Sequence, residues 1–172
     1  LPGYLLHDGL VATTDLEEAV AGVDILFVAV PSASFRDVVR EVALHVSVET
    51  LVISLTKGIE SGGFRLMSEI LREEMPGNLR GVLSGPNLAG EIAAGQITGS
   101  VVASGLPAIN TRIHDLLHCE TFLIYSSRDM YGVELGGALK NVYAILAGIA
   151  AALELGENTV GMLLTRSLAE MS

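Results

Sequence analysis

Short apolar runs alternate with segments of helical spacing along most of the chain. The runs are rich in β-branched residues and are bounded by polar residues or glycine, a pattern typical of buried strands. Five strands are predicted in this way: Asp24–Val30, Thr50–Leu55, Arg80–Ser84, Gly99–Ser104 and Thr121–Ser126. The intervening segments predict five helices: Leu16–Ala21, Ser34–Leu44, Phe64–Glu74, Leu88–Ala94 and Ala108–Leu117. Alternation of strands and helices indicates an α/β domain.

The predicted strands are almost continuously apolar, which favours a sheet that helices cover on both faces. Such sheets are mostly parallel and have right-handed crossovers. We therefore interpret residues 1–127 as the carboxyl-terminal portion of a dinucleotide-binding domain, part of a doubly wound Rossmann-type parallel sheet. No G-x-G-x-x-G motif follows a strand in this sequence. We expect the glycine-rich turn and its flanking strands to be missing from the chain.

After the fifth predicted strand, small and apolar residues dominate without strand-like boundaries. This composition predicts one long, largely buried helix from about Arg128 to Leu155. Gly156 can end that helix, and Thr159–Met171 has the periodicity of another one. We therefore predict that residues 128–172 are the start of an all-helical substrate domain that is truncated here.

Composition restricts the classes of partner. Half of the residues are hydrophobic, which argues against disorder. The longest uncharged apolar stretch in the second half, Val142–Leu153, is shorter than the roughly 18 residues of a membrane span, so we expect no stable membrane insertion. The net charge of -10 disfavours nucleic acid. One cysteine, Cys119, and no basic leader indicate a cytoplasmic location.

In open parallel sheets, ligands bind beyond the carboxyl ends of the strands. Three such ends stand out in the sequence: Val30-Pro31-Ser32, Thr56-Lys57-Gly58 and Ser84-Gly85-Pro86-Asn87. Pro31 fixes the turn that leaves its strand, and Ser32 or Ser34 can cap the following helix. That turn fits a nucleotide site and fits an ordinary capped loop equally well.

Lys57 and the turn around Gly85 are candidate ligand contacts. The ten cationic residues are eight arginines and two lysines, and one of the two lysines follows a predicted strand directly. An ammonium at that place suits a phosphate or a carbonyl oxygen, although an exposed lysine needs no function. Gly85 permits close backbone approach, and Asn87 can cap the helix that begins near Leu88.

Lys140 is the strongest candidate for chemistry. It follows Gly136 and Gly137 in a predicted helix interior, where each glycine costs roughly 1 kcal/mol against alanine. The glycines therefore indicate close approach of another helix, the sheet or a ligand. Burial on an apolar helix favours a neutral amine that can donate and accept a proton. The alternative is a lysine that extends to the surface from an apolar helix.

Several of these segments together resemble the bacterial-type NAD(P)-dependent sn-glycerol-3-phosphate dehydrogenase family in order and spacing. They are Val28-Ala29-Val30-Pro31-Ser32, Thr56-Lys57-Gly58, Leu83-Ser84-Gly85-Pro86, Gly132 to Asn141, and Thr165 to Met171. The resemblance implies reversible hydride transfer between NAD(P)H and dihydroxyacetone phosphate, which yields sn-glycerol 3-phosphate for phospholipid synthesis. It also implies NAD or NADP as cofactor, a small phosphorylated substrate, and a homodimer.

The resemblance also implies roles for individual residues. Lys140 corresponds to the reactive lysine, and Lys57 to a second lysine that contacts substrate and cofactor. The implied substrate contacts are Lys57, Gly85, Asn87, Lys140 and Asn141, and the implied cofactor contacts are Pro31, Lys57 and Ala89. No metal is implied. Asn87 stands where bacterial relatives often carry serine, and the family's glycine motif and carboxyl-terminal phosphate-binding residues are absent, so we expect the chain alone to lack full activity.

Two other readings remain at this point. A β-hydroxyacid or 6-phosphogluconate dehydrogenase relative would carry an asparagine four residues after the lysine, where this sequence has Ala144. The chain could also belong to a non-catalytic helical oligomerisation or regulatory module, which would keep the helical packing but would have lost the cofactor-binding half. The preference for NADH or NADPH depends on a residue at the end of a strand that this sequence does not include.

Overall fold

The computed structural model describes residues 3–5 and 7–171, and within them it contains five strands and seven α-helices. In chain order these are α1 (Leu16–Val20), β1 (Ile25–Val28), α2 (Phe35–Val42), β2 (Leu51–Ser54), α3 (Met67–Glu74), β3 (Arg80–Ser84), α4 (Ala89–Ala93), β4 (Thr98–Ala103), α5 (Pro107–Leu117), β5 (Phe122–Ser127), α6 (Met130–Ala152) and α7 (Glu157–Met171). A single 3-10 turn, Ser32–Ser34, precedes α2. Every predicted strand and helix is present with bounds that differ by a few residues.

The five strands form one sheet in the order β1-β2-β3-β4-β5. β1, β2 and β3 are parallel, β4 is antiparallel to β3, and β5 is parallel to β4. The predicted α/β fold with a mostly parallel sheet is therefore confirmed, and the reversal at β4 is the one exception among the pairings. It brings the amino ends of β4 and β5 to the edge where β1, β2 and β3 end, which we call the carboxyl edge.

Helices cover both faces of the sheet, as the apolar strands predict. Successive residues of β2 point to opposite faces, so Val52 packs with Phe35 and Met67, whereas Ile53 packs on the other face with Ile113. All five of these side chains are fully buried. The core thus consists of two apolar layers, one on each face of a short sheet.

The predicted helix that begins at Phe64 begins instead at Met67. Phe64 has a φ of 52°, in the left-handed region that a helix cannot use. Ile59 also pairs with Leu66 in an isolated antiparallel bridge, so the segment between them forms a small turn ahead of α3. The predicted cap by Ser34 is likewise wrong, because its hydroxyl donates to the carbonyl oxygen of Pro31 at 3.1 Å and caps no amide.

The long helix α6 begins beside the amino end of β3 and runs toward the carboxyl edge. Met130 lines the same cleft as Arg80, and Gly137 lies against Ser84 at the other end of β3. By length and composition α6 could also cross a membrane, although one such helix is weak evidence for a span. Only 11% of its apolar window is buried, so the prediction that this helix is largely buried is wrong for this chain. The predicted boundary near residue 127 falls between β5 and α6, and the division into two domains stays a prediction.

Candidate active site

The two lysines of the chain lie on the same cavity. It has a volume of about 270 Å³ and lies between α6 and the carboxyl edge. Its walls include Lys57 after β2, Gly85 after β3, and Gly136 and Lys140 on α6. Residues more than 80 positions apart in the sequence therefore meet where the strand-end rule places ligands.

The ammonium of Lys57 is held in place by the backbone of the next strand. Its Nζ donates a hydrogen bond to the carbonyl oxygen of Gly85 at 2.6 Å. Gly58 lets the chain turn directly after it, with a φ of 143° and with space so limited that an added Cβ would lie 2.7 Å from the side chain of Ser32. The direction of Lys57 is therefore fixed by both the turn and the hydrogen bond.

The electrostatics of the cavity favour an anion. Burial lowers the pKa of Lys57 from its ordinary value, and the positive charge of Lys140 lowers it further. Within residues 3–5 and 7–171, no carboxylate forms an ion pair with either lysine. Two ammonium groups without a counter-charge suit a phosphate group or an oxygen that gains negative charge.

The two adjacent glycines of α6 have different surroundings. A Cβ added to Gly137 would lie 2.7 Å from Oγ of Ser84, so the helix packs directly on the end of β3. A Cβ added to Gly136 would meet nothing within 4 Å, and both glycines line the cavity. The predicted close approach is thus to the sheet at Gly137, and Gly136 leaves room for a ligand.

Lys140 is exposed, so the prediction that its apolar helix buries it is wrong for this chain. The helix packs on β3 through Gly137, and residue 140 lies where α6 has passed the end of that strand. Lys140 therefore reaches the cavity from its open side. Its role in proton transfer stays a prediction that rests on position beside Lys57.

Gly85 makes a close contact of the kind that its sequence context predicts, and the contact is with β4. An added Cβ would overlap the carbonyl oxygen of Gly99 and the hydroxyl of Ser100. The backbone of Gly85 therefore lies flat on β4 and presents its carbonyl oxygen to Lys57. The reversal of β4 makes this contact possible, because it places the amino end of β4 next to the turn at Gly85.

The other predicted contacts lie around the cavity and do not line it. Asn87 does not cap α4, since its Oδ1 accepts a hydrogen bond from Oγ of Ser100 at 2.7 Å and Leu88 holds the cap position. Pro31 is exposed on the loop that leaves β1, Ala89 is exposed at the start of α4, and Asn141 is exposed beside Lys140. The roles of Asn87 and Asn141 toward substrate and of Pro31 and Ala89 toward cofactor stay predictions.

Glu134 is a residue to which sequence reasoning gave no role. It is 8% exposed, and its carboxylate accepts hydrogen bonds from the amide of Ser68 at 2.9 Å and from the Ser68 hydroxyl. Burial raises the pKa of Glu134, and the bonds from Ser68 offset part of that rise. The available signal is that Glu134 is the one carboxylate in α6.

Two family models cover most of the chain. The model described as the NAD-dependent glycerol-3-phosphate dehydrogenase N-terminus matches residues 1–109, and the corresponding C-terminus model matches residues 129–172. The chain belongs to the NAD-dependent glycerol-3-phosphate dehydrogenase family. The predicted resemblance is confirmed, and the family match decides against placement with the β-hydroxyacid or 6-phosphogluconate dehydrogenases.

Curated relatives named glycerol-3-phosphate dehydrogenase, NAD(P)+-dependent, match over nearly the whole chain. The protein of Saccharophagus degradans is 57% identical over 171 residues, which are 99% of this chain and 48% of the relative. The protein of Teredinibacter turnerae is 56% identical over 100% of this chain and 51% of the relative. The chain thus spans about half the length of the curated relatives it matches.

Solved structures of the same family share the fold. The glycerol-3-phosphate dehydrogenase of Coxiella burnetii superposes with a TM-score of 0.91 at 37% identity, over 99% of this chain and 52% of that one. The enzyme of Saccharomyces cerevisiae gives a TM-score of 0.88 at 32% identity, over 99% of this chain and 51% of that one. The arrangement of sheet and helices is therefore that of the dehydrogenase family.

Proposed function

We propose that the whole protein interconverts dihydroxyacetone phosphate and sn-glycerol 3-phosphate by hydride transfer with NADH or NADPH. The observation that carries this proposal is the meeting of Lys57 and Lys140 on one cavity at the carboxyl edge. The names of the relatives support the same reaction. This chain would contribute both cationic groups of the reacting centre.

The size and lining of the cavity suit the substrate. Its volume of about 270 Å³ lies near the lower end of the roughly 300–1,000 Å³ typical of small-molecule sites. That space fits a three-carbon phosphate ester and is too small for a dinucleotide. The loop at Pro31 and the start of α4 at Ala89 are exposed. They are the part of this chain that would hold the cofactor, and Lys57 would lie between cofactor and substrate.

The two lysines can divide the work of reducing a ketone. Bound NADH or NADPH supplies the hydride. The ammonium of Lys140 donates a proton to the carbonyl oxygen of the substrate, and in the reverse direction the amine takes it back. Lys57 uses one N–H of its ammonium to donate a hydrogen bond to the carbonyl oxygen of Gly85, and its other two N–H groups can donate to the substrate oxygens. Both charges stabilise the oxygen as it becomes negative.

Reaction specificity tests the proposal directly. We expect the full-length protein to oxidise NADH or NADPH when dihydroxyacetone phosphate is added but not when a 3-keto acid is added, and to reduce neither NAD+ nor NADP+ when 6-phosphogluconate is added. Absorbance at the nicotinamide wavelength measures the rate for each substrate. A protein that folds, binds its cofactor and turns over none of these substrates would support the non-catalytic module instead.

We also propose a cytoplasmic homodimer that supplies glycerophospholipid synthesis, with no nucleic-acid partner and no stable membrane insertion. The net charge of -10 supports the exclusion of nucleic acid. Sedimentation of the full-length protein measures the oligomeric state, and separate kcat/KM values for NADH and NADPH measure cofactor preference. Fractionation of cells shows whether the protein stays with the soluble fraction.

A further inference from the structure

Glu134 is a buried carboxylate that has no part in the proposed reaction. It lies on α6 six residues before Lys140, and it does not line the cavity. Burial of a carboxylate in an apolar helix interface costs free energy unless hydrogen bonds replace the lost water. Ser68 supplies two such bonds, through its amide at 2.9 Å and its hydroxyl, and the backbone of Met67 contributes as well.

Ser68 is in the first turn of α3, and that turn lacks a local cap. The N-cap residue is Leu66, whose side chain has no acceptor for the amides that a helix start leaves unpaired. Glu69 turns back to the amide of Leu66 at 3.0 Å and does not accept from Ser68. Glu134, 66 residues further along the chain, provides the missing acceptor and a negative charge at the helix start.

This contact joins the two halves of the candidate active site. α3 follows the loop that begins after Lys57, and α6 carries Lys140. On α6, Glu134 and Gly137 are buried, and Lys140 follows Gly137 by three residues, one turn further along the helix. A rotation or shift of α6 would therefore move Lys140 away from Lys57 and Gly85.

We propose that Glu134 is a positioning residue, which caps α3 and thereby holds Lys140 opposite Lys57. Its consequence for catalysis rests on the proposed function, whereas its consequence for geometry does not. Both are measurable in the full-length protein. A short amine-specific cross-linker, 1,5-difluoro-2,4-dinitrobenzene, followed by peptide mass spectrometry, reports whether Lys57 and Lys140 stay adjacent.

The disruptive variant is Glu134→Leu, which keeps the volume but removes both acceptors. We expect kcat to fall by about 10- to 100-fold, as for a small displacement of a reacting group. The KM for the cofactor should change little, and the yield of the Lys57–Lys140 cross-link should fall. Glu134→Gln should restore both readouts, because its amide can accept from the Ser68 amide and donate to the Ser68 hydroxyl.

Asp15→Ala is the matched control for loss of a helix cap. The Asp15 carboxylate accepts from the amide of Glu18 at 3.0 Å at the start of α1, and Asp15 does not line the cavity. We expect this variant to lower Tm and to leave kcat and the cross-link unchanged. If Glu134→Leu behaves in the same way as Asp15→Ala, Glu134 is structural only and the proposal is overturned.

Two further outcomes are decisive. If Glu134→Leu does not fold, Ser68→Ala removes the hydroxyl donor alone, and a kcat and cross-link equal to those of the unmodified protein would overturn the proposal. If the unmodified protein does not reduce dihydroxyacetone phosphate but its cross-link still depends on Glu134, the proposed function fails and the positioning role stands.

Discussion

Two clusters of charge, one around Arg36 and one formed by Lys57 and Lys140, differ in how they are compensated. Arg36 forms ion pairs with Glu60, Glu73 and Glu74 at 2.6, 2.8 and 2.6 Å. The two lysines of the cavity have each other and a carbonyl oxygen as neighbours. The first cluster is complete within the protein, whereas the second needs a negative charge from outside.

The difference separates stabilisation from function. Arg36 joins α2 to α3 and to the turn before α3. It lowers the pKa of the Glu60 carboxyl, and Arg40 together with Arg36 lowers the pKa of the Glu74 carboxyl. Burial lowers the pKa of Lys57, and repulsion between the two lysines lowers it further. A self-repelling pair contributes nothing to the fold, so its presence at a cavity is best explained by a ligand.

The largest expected effect comes from Lys140. Lys140→Met keeps the length of the side chain but removes the proton donor, and we expect kcat to fall by roughly 10²- to 10⁴-fold. Lys140→Arg is the control, since guanidinium keeps the charge but does not release a proton at neutral pH. Steady-state assays of NADPH oxidation measure both. Near-normal turnover of Lys140→Met would show that the lysine pair, like the Arg36 cluster, has no catalytic role.

Lys57 should affect substrate binding more than turnover. We expect Lys57→Met to raise the KM for dihydroxyacetone phosphate by about 10- to 100-fold, the loss expected for a hydrogen bond to a charged group. The KM is measured at saturating cofactor, with Arg36→Met as a control that removes a cation elsewhere. An unchanged KM would show that the ligand charge is met by other residues.

The adjacent glycines of α6 offer a matched pair of substitutions. Gly137→Ala forces a Cβ to 2.7 Å from Ser84, and we expect a loss of about 1–3 kcal/mol in the free energy of unfolding. Gly136→Ala meets no neighbouring atom and should stabilise the helix by up to about 1 kcal/mol. Denaturant unfolding measures both. Equal effects would contradict the packing of α6 on β3.

Arg36 should affect stability alone. We expect Arg36→Ala to lower Tm by about a few degrees at pH 7 and to leave kcat unchanged. The pKa values of Glu60 and Glu74 are lowered in the folded state. Their contribution is therefore complete above the ordinary carboxyl pKa and is lost as pH falls through the lowered values. Tm measured from pH 7 to pH 3 should show the difference from the unmodified protein vanish.

The smallest expected effect is the pH dependence that Lys57 imparts. Its pKa is lowered from 10.5 in the folded state, so the unfolded chain binds more protons between the lowered value and 10.5. Stability should therefore rise with pH across that window. Lys57→Met should be slightly more stable than the unmodified protein at pH 7, and the gap should close toward pH 10.5. Thermal melts in the absence of substrate measure it.

The sequence was sufficient for the elements of the fold and for the meeting of the two lysines. Apolar runs and helical spacing identify each strand and helix, and the strand-end rule places Lys57 at a ligand site. The direction of β4 was not predictable, because an apolar strand looks the same in either direction. The apolar sequence around Lys140 predicted a buried side chain, whereas Lys140 is exposed. The sequence does not show where α6 passes the end of β3.

Contacts between distant residues were also beyond the sequence. Glu134 and Ser68 are ordinary residues in their own segments, and only the fold shows that one completes the helix start of the other. The local capping rules gave incorrect partners for Ser34 and Asn87 for a related reason. A polar side chain at a loop takes the nearest donor or acceptor, and for Asn87 that is Ser100 on another strand.

The flat contact of Gly85 on β4 limits how this binding region can change. No side chain larger than hydrogen fits between that turn and the carbonyl oxygen of Gly99, so residue 85 cannot be varied to reshape the cavity. Engineering of the cavity toward larger or smaller ligands therefore has to use the opposite wall. Gly136 and Val133 on α6 line that wall, and Gly136 has open space beside it.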